Sequence, residues 1–192
     1  MTIIINHRVN TICKLNNTPK DCGIEIDIRP YSNSLTLHHD PFCKGEKLSK
    51  FLDHYDHDLI MANIKAEGIE ESVIEEFEKR KIENYFLFDI SFGFAIKLSK
   101  KGFQKFALRY SEYEDFNSIE LFPANFEWLF VDSFTHIPIQ KNNLEKIKNR
   151  GLKISLVSPE LHNRESDLVI AKQLVNLNQI DAILTDDLSL WK

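Results

Sequence analysis

Short strand-like runs recur along this chain, with helix-compatible stretches after most of them. "TIIINHR", "GIEIDIR", "DLIMANIKAEG", "NYFLFDIS", "KFALRYSE", "EWLFVDSF", "LKISLVSP" and "IDAILTDD" make eight main strands. A further run, "SLTLHHD", follows the turn-like "PYSNS" and reads as a hairpin or return extension of the second strand. "KLSKFLDHY", "EESVIEEFEKRKI", "FAIKLSKKG", "NLEKIKNRG" and "ESDLVIAKQLVNLN" read as helices. In the second of these, Val73, Ile74, Phe77 and Ile82 share one face, and Gly151 stands where the fourth should stop. Repeated strand–helix units imply parallel pairing. Eight of them predict an α/β fold, a compact (β/α)8 TIM barrel with short loops. At 192 residues the chain lies slightly below the usual ~200–400 for that fold, so several helices must be degenerate. An open doubly wound sheet competes, but no G-x-G-x-x-G follows the first strand. No linker or composition break divides residues 1–192, which predicts one domain.

Polar residues gather at the C-terminal ends of these strands: His7-Arg8, Glu25 and Asp27, Asn63 and Lys65, Asp89, Arg109, Asp132 and Asp186-Asp187. Barrel enzymes assemble their sites at that face. Glu25 and Asp27 are two apart, so they share a strand face with backbones about 6.5–7 Å apart, and their carboxylates can converge on one cation. Hard oxygen ligands suit Mg²⁺ or Ca²⁺. The alternation by itself is also what a solvated strand face shows. Arg29 continues the same face and could pair with either acid.

Two histidines near such a pair form a minimum kit for acid–base chemistry at neutral pH. His7 is one. His39 is the other, because regular alternation sends His38 to the opposite face. Lys65 could neutralise a substrate anion or form a Schiff base; a paired interior lysine is its structural alternative. "RYSEYED" could line the pocket or cap a strand, His54 and His57 read as a solvated loop, and His136 and His162 fall near a barrel mouth without an assigned role.

The formal charge of −5 argues against a nucleic-acid partner. An anionic substrate would need a local offset, and a metal ion is the usual one. Cys13, Cys22 and Cys43 are odd in number and lack C-x-x-C spacing, which suggests neither a disulfide framework nor a cysteine zinc site. No apolar run reaches the length of a signal-peptide core or a transmembrane segment. A cytoplasmic location is expected.

"NHR", "GIEIDIR", "LHHDP", "NIK" and "AILTDD", in that order, resemble the glycerophosphodiester phosphodiesterase family and its wider phospholipase-C-like barrel superfamily. The resemblance implies metal-dependent cleavage of a small phosphodiester. It implies His7 and His39 as the catalytic histidines, Glu25 and Asp27 as metal ligands, Lys65 as the strand-three lysine and Arg8 as a phosphate contact. Two departures stand out. The family's third metal-binding acid is here Asn63, whose amide oxygen coordinates without charge; Asp89 could supply the missing carboxylate. The insertion that usually follows the H-D pair is reduced to "PFCKGEKLSK". Two other readings compete: a phosphate-binding barrel with weakened catalysis, and a Schiff-base lyase using Lys65.

Overall fold

A computed structural model describes residues 1–192. Its strands are β1 (Ile3–Asn6), β2 (Gly23–Tyr31), β3 (Ser34–Leu37), β4 (Glu46–Lys47), β5 (Ile60–Ile64), β6 (Tyr85–Phe88), β7 (Ala107–Tyr110), β8 (Trp128–Val131), β9 (Lys153–Val157) and β10 (Ala182–Thr185). The helices are α1 (Ile12–Asn17), α2 (Leu48–Leu52), α3 (Glu70–Lys79), α4 (Phe92–Lys100), α5 (Asn117–Glu120), α6 (Lys141–Asn149) and α7 (Leu168–Asn176).

The main strands close into a ring. β1 pairs in parallel with β2 on one side and β10 on the other. Parallel pairing continues through β5 and β6 in one direction and through β9, β8 and β7 in the other. The remaining seam, between β6 and β7, is joined by a parallel bridge from Leu87 to Phe106, with the Leu87 N–H donating to the Lys105 carbonyl at 3.0 Å. This is the (β/α)8 barrel the strand count predicts. The expected economy is visible: α1 has six residues and α5 four, and neither has the periodic signal that marks α3. β3 returns antiparallel on β2, and β4 adds to its edge.

Closure divides the apolar residues into two cores. The outer one lies between the strands and the helices, where Ile24, Ile26 and Ile28 of β2 meet a cluster that includes Val73 and Phe77 of α3. The inner one fills the barrel: Phe86 stacks on Trp128 with ring centroids 4.4 Å apart, and Phe88 tilts against Phe130 at 4.8 Å. The charged face of β2 therefore points into the barrel, and its apolar face points outward to the helices. Glu25 and Asp27 are each only 1% exposed, so this alternation does not belong to a solvated sheet face.

The loop after β3 is held tightly at its far end. A Cβ on Gly45 would come within 2.1 Å of the Leu37 carbonyl oxygen, so only glycine fits there. No helix is long and apolar enough to cross a membrane. Truncating a fully buried aromatic removes its transfer energy and leaves a cavity, at a cost of about 3–5 kcal/mol. Phe86→Ala is therefore expected to lower the unfolding free energy by that amount in urea titrations, while leaving the cavity at the strand ends intact.

Candidate active site

A cavity of about 330 Å³ opens at the C-terminal ends of the barrel strands. That is the small end of the range for ligand pockets. His7, Arg8, Glu25, Asn63 and Lys65 form one wall; Asp89, Arg109, Asp132 and His162 form the other, over a floor that includes Phe88, Phe130 and Leu184.

The first wall grows from β1, β2 and β5. Just past β1 the chain turns sharply, with Arg8 in the left-handed region at φ 52°. Such a conformation costs a non-glycine residue of order 1–3 kcal/mol and persists only where the surroundings enforce it. Here it aims the Arg8 backbone N–H at the Glu25 Oε2, at 2.7 Å. Asn10 grips Asp27 twice: its Nδ2 donates to Oδ2 at 2.7 Å, and its Oδ1 accepts from the Asp27 backbone N–H at 2.8 Å. The other Asp27 oxygen lies 3.3 Å from the Lys65 ammonium. Because β2 and β5 run in parallel register, with Asp27 opposite Asn63, these groups stand side by side. His7 is oriented by Asp186, whose Oδ1 is 3.0 Å from Nδ1. A carboxylate there accepts the Nδ1 proton and leaves Nε2 as the free acceptor.

Burial, reinforced by the neighbouring Asp27 charge, pushes the Glu25 carboxyl well above the ordinary range, against the pull of the Arg8 N–H and Lys65. Burial also pushes His7 down, with Asp186 offsetting only part of the effect. Two buried oxygens of this wall, Glu25 Oε1 and Asn63 Oδ1, have no hydrogen-bond partner. Unpaired buried oxygens are costly, and two together are what a hard cation would satisfy. Glu25 and Asn63 thus fit a divalent ion. Asp27 fits only if Lys65 gives way, because both of its oxygens are engaged. No group of three or more His, Cys, Asp or Glu side chains gathers around a common point suited to a metal, since the third position here is the amide Asn63.

The second wall is a linked chain of charges. Arg109, on β7, donates through Nη1 to Asp132 Oδ2 at 2.8 Å and through Nη2 to Asp89. Burial opposes its charge, but the two carboxylates together outweigh that and hold its pKa above the usual value. His162 Nε2 sits 2.8 Å from the remaining Asp132 oxygen. Asp89, like Arg8, adopts a left-handed conformation, here immediately after β6. It lines the same cavity as Asn63, but its charge is directed to Arg109.

Several sequence expectations change. β3 ends at Leu37, so His38 and His39 lie beyond it, and strand alternation does not govern them. The His39 ring turns to Asp40, at 2.9 Å, with its side chain 41% exposed, and it is not among the cavity-lining residues. The loop still approaches the first wall, since the Arg8 charge helps lower the Asp40 carboxyl, after the larger effect of its hydrogen bond with His39. Arg29 pairs with neither acid; it donates to the backbone carbonyls of His39 and Lys65 at 2.9 and 3.0 Å, joining the two loops. His57 is buried, donating from Nε2 to the Thr18 carbonyl at 3.1 Å, rather than solvated. Asn10, Asp186 and the Asp132–His162 pair are constituents that sequence reading did not single out as working groups. The one available signal for Asn10 was a short polar side chain three residues past His7.

No protein-family model matches this sequence, and no curated protein matches it. Solved structures do. A candidate glycerophosphoryl diester phosphodiesterase from Agrobacterium tumefaciens superposes with a TM-score of 0.70 at 16% identity, covering 99% of this chain and 95% of its own. A glycerophosphoryl diester phosphodiesterase from Parabacteroides distasonis gives 0.63 at 14% identity, covering 97% and 83%. The chain shares their fold.

The raised Glu25 pKa has a thermodynamic consequence. A carboxyl whose pKa is higher folded than unfolded contributes stability at low pH, and that contribution is lost as pH rises through the folded value. Glu25→Gln is therefore expected to melt higher than the wild type at neutral pH, the difference vanishing below the ordinary glutamate value of about 4.3. A divalent cation that binds only the folded chain raises the melting temperature by mass action. Mg²⁺ or Ca²⁺ is expected to stabilise the wild type in thermal melts and to leave Glu25→Gln unmoved.

Proposed function

We propose that this chain is an enzyme that cleaves a small glycerophosphodiester-like phosphodiester at the open end of the barrel, with one divalent cation, Mg²⁺ or Ca²⁺, as cofactor. The observation that carries this reading is the meeting, in one cavity, of two unpartnered buried oxygens with the cations Arg8 and Lys65. The fold shared with glycerophosphoryl diester phosphodiesterases over nearly the full chain supports it, as does the ordered run of motifs in the sequence. We place the whole of residues 1–192 in one catalytic unit and, given three free cysteines, locate it in the reducing cytoplasm.

Glu25 and Asn63 would hold the cation, with Asp27 beside them. A cation there supplies charge neutralisation at the phosphoryl oxygens and polarises an oxygen nucleophile. The remaining work falls to the chain. Arg8 and Lys65 attract the diester anion into a cavity bordered by Glu25, Asp89, Asp132 and Asp186, and they oppose charge that builds on the phosphoryl oxygens. His7, kept neutral by burial and held by Asp186, takes a proton at Nε2 from the attacking hydroxyl. In the resemblance His39 is the partner imidazole; it stands at the rim on Asp40. The pairing of Lys65 with Asp27 favours charge neutralisation by this lysine over Schiff-base formation, which requires a neutral amine.

A second reading has its own support. Asn63 brings no charge, and Asn10 and Lys65 occupy both Asp27 oxygens, which favours weak cation binding and a barrel that binds phosphate ligands with little turnover. The deciding measurement is phosphorus NMR of glycerophosphodiesters, lysophospholipids and sugar-phosphate diesters incubated with the protein and each metal. We expect turnover that chelator abolishes and added metal restores. His7→Gln is expected to lower kcat by at least about 100-fold, the lower bound for lost acid–base assistance, without lowering the melting temperature; Lys65→Ala, which takes its cation from the buried Asp27, is expected to lower both kcat and the melting temperature. Full activity in His7→Gln overturns its role. Calorimetric metal binding without turnover on any diester favours the binding barrel.

A further inference from the structure

We infer that a second cavity, beside the catalytic one at the β6–β7 seam, is the subsite for one of the two alcohols of the diester and selects an alcohol that carries an ammonium group, through Glu114 and Phe92. This rests on the phosphodiester reading and deepens it.

The cavity originates in the slightest join of the barrel. β5 pairs with β6, and β7 with β8, over four residues each, whereas β6 meets β7 only at the bridge from Leu87 to Phe106. Beyond that bridge the two segments part. Asp89 and Ile90 on one side, and Ala107, Leu108 and Arg109 on the other, border a space of about 370 Å³. That volume lies within the range of ligand pockets. Asp89 and Arg109 line the catalytic cavity as well, so the two spaces share a wall. The connection after β7 has only the four-residue α5 and brings Glu114 and Ser118 to the gap, while Phe92 opens α4 on the other side.

The lining is half apolar, and its charge is acidic. Its single cation, Arg109, is bonded to Asp89 and Asp132 and feels Glu114 as a third carboxylate. Glu114 therefore brings a charge that the cavity does not offset. The Ser111 hydroxyl donates to its Oε2 at 2.7 Å, which orients the carboxylate, and Oε1 has no protein partner. Phe92 is 53% exposed, yet its ring is held edge-to-face against the buried Phe122, with centroids 5.4 Å apart. A fixed, exposed ring and an unpaired carboxylate on one cavity fit an alkylammonium, which gains from the ring quadrupole and from the negative charge together. An alcohol bearing a carboxylate would meet Glu114 and Asp89 with like charge. Charge complementarity also runs along the whole site: Arg8, Lys65 and the cation serve the phosphate at the first wall, and the surplus acid lies beyond the second. That is the order of charges in a zwitterionic diester.

A structural role for Glu114 would predict something else. Its backbone N–H donates to the Ser111 carbonyl at 3.3 Å, so the residue could serve only to close the turn after β7. Its loss would then affect every diester alike.

The ammonium group separates these cases. kcat/KM would be measured with glycerophosphocholine and with glycerophosphoglycerol, whose variable arms are primary alcohols with and without that group. The wild type is expected to favour the choline diester by at least about 5-fold, the size of one exposed cation–π or ion-pair contact. Glu114→Gln and Phe92→Leu are each expected to cut the preference by about 5-fold. Both side chains are exposed, so neither change threatens the fold. No choline preference in the wild type, an equal loss on both diesters, or an unchanged ratio in the variants overturns the assignment. If the wild type cleaves neither diester, the functional reading fails separately, and choline chloride titrated into ¹⁵N-labelled protein then decides the subsite. Saturating shifts of the Glu114 and Ser118 amides that weaken in Phe92→Leu are expected. Amides that stay still, or that move equally with sodium chloride, overturn the inference.

Discussion

Two carboxylates buried inside a closed barrel govern the rest of this molecule. Glu25 and Asp27 sit where an apolar core would be cheaper, beside each other and nearly without solvent. Everything around them answers that charge: the Arg8 N–H on one acid, the Asn10 amide and the Lys65 ammonium on the other. The answer is incomplete, since Glu25 Oε1 and Asn63 Oδ1 remain without partners. Buried oxygens left without partners are destabilising by themselves. Strongly perturbed carboxyls such as Glu25 are found more often at functional sites than elsewhere.

The strain is gathered at the same end. Arg8, two residues past β1, and Asp89, directly past β6, each take a left-handed backbone, and both line the cavity. Below them the barrel is filled by packed aromatics, Phe86 stacked on Trp128 and Phe88 tilted against Phe130. Rigid aromatic packing gives the rim a fixed frame, so that short polar side chains can be placed with little mobility. Economy in chain length falls elsewhere, on the helices: a four-residue α5 covers one side of a barrel that still closes.

The two walls of the cavity differ in kind. The β1–β2–β5 wall carries two unpaired buried oxygens, the Arg8 side chain and a lysine, Lys65, that is paired with Asp27. The β6–β9 wall is internally compensated, with Arg109 held between two acids and Asp132 held between an arginine and a histidine. A compensated wall binds no phosphate strongly by itself, but it holds an imidazole at a defined angle.

Much of the first wall was legible in the sequence. Period-two spacing put Glu25 and Asp27 on one face, and the strand–helix repeat put His7, Asn63 and Lys65 at the same end. Those are local or repetitive properties, and the chain carries them in its order of residues. Alternation is symmetric, however, so only closure of the ring decided that the charged face of β2 turns inward. Strand alternation does not place His39, because β3 ends at Leu37, two residues short of it, and beyond that point its ring meets Asp40. Of the second wall the sequence showed only positions, Asp89, Arg109 and Asp132 at strand ends and His162 near the mouth; their pairing was not legible, because Asp132 and His162 are 30 residues apart and Asp89 and Arg109 belong to different strands. Side chains brought together from the ends of separate strands leave no periodic trace, because their meeting is a property of the closed barrel and not of any segment of the chain.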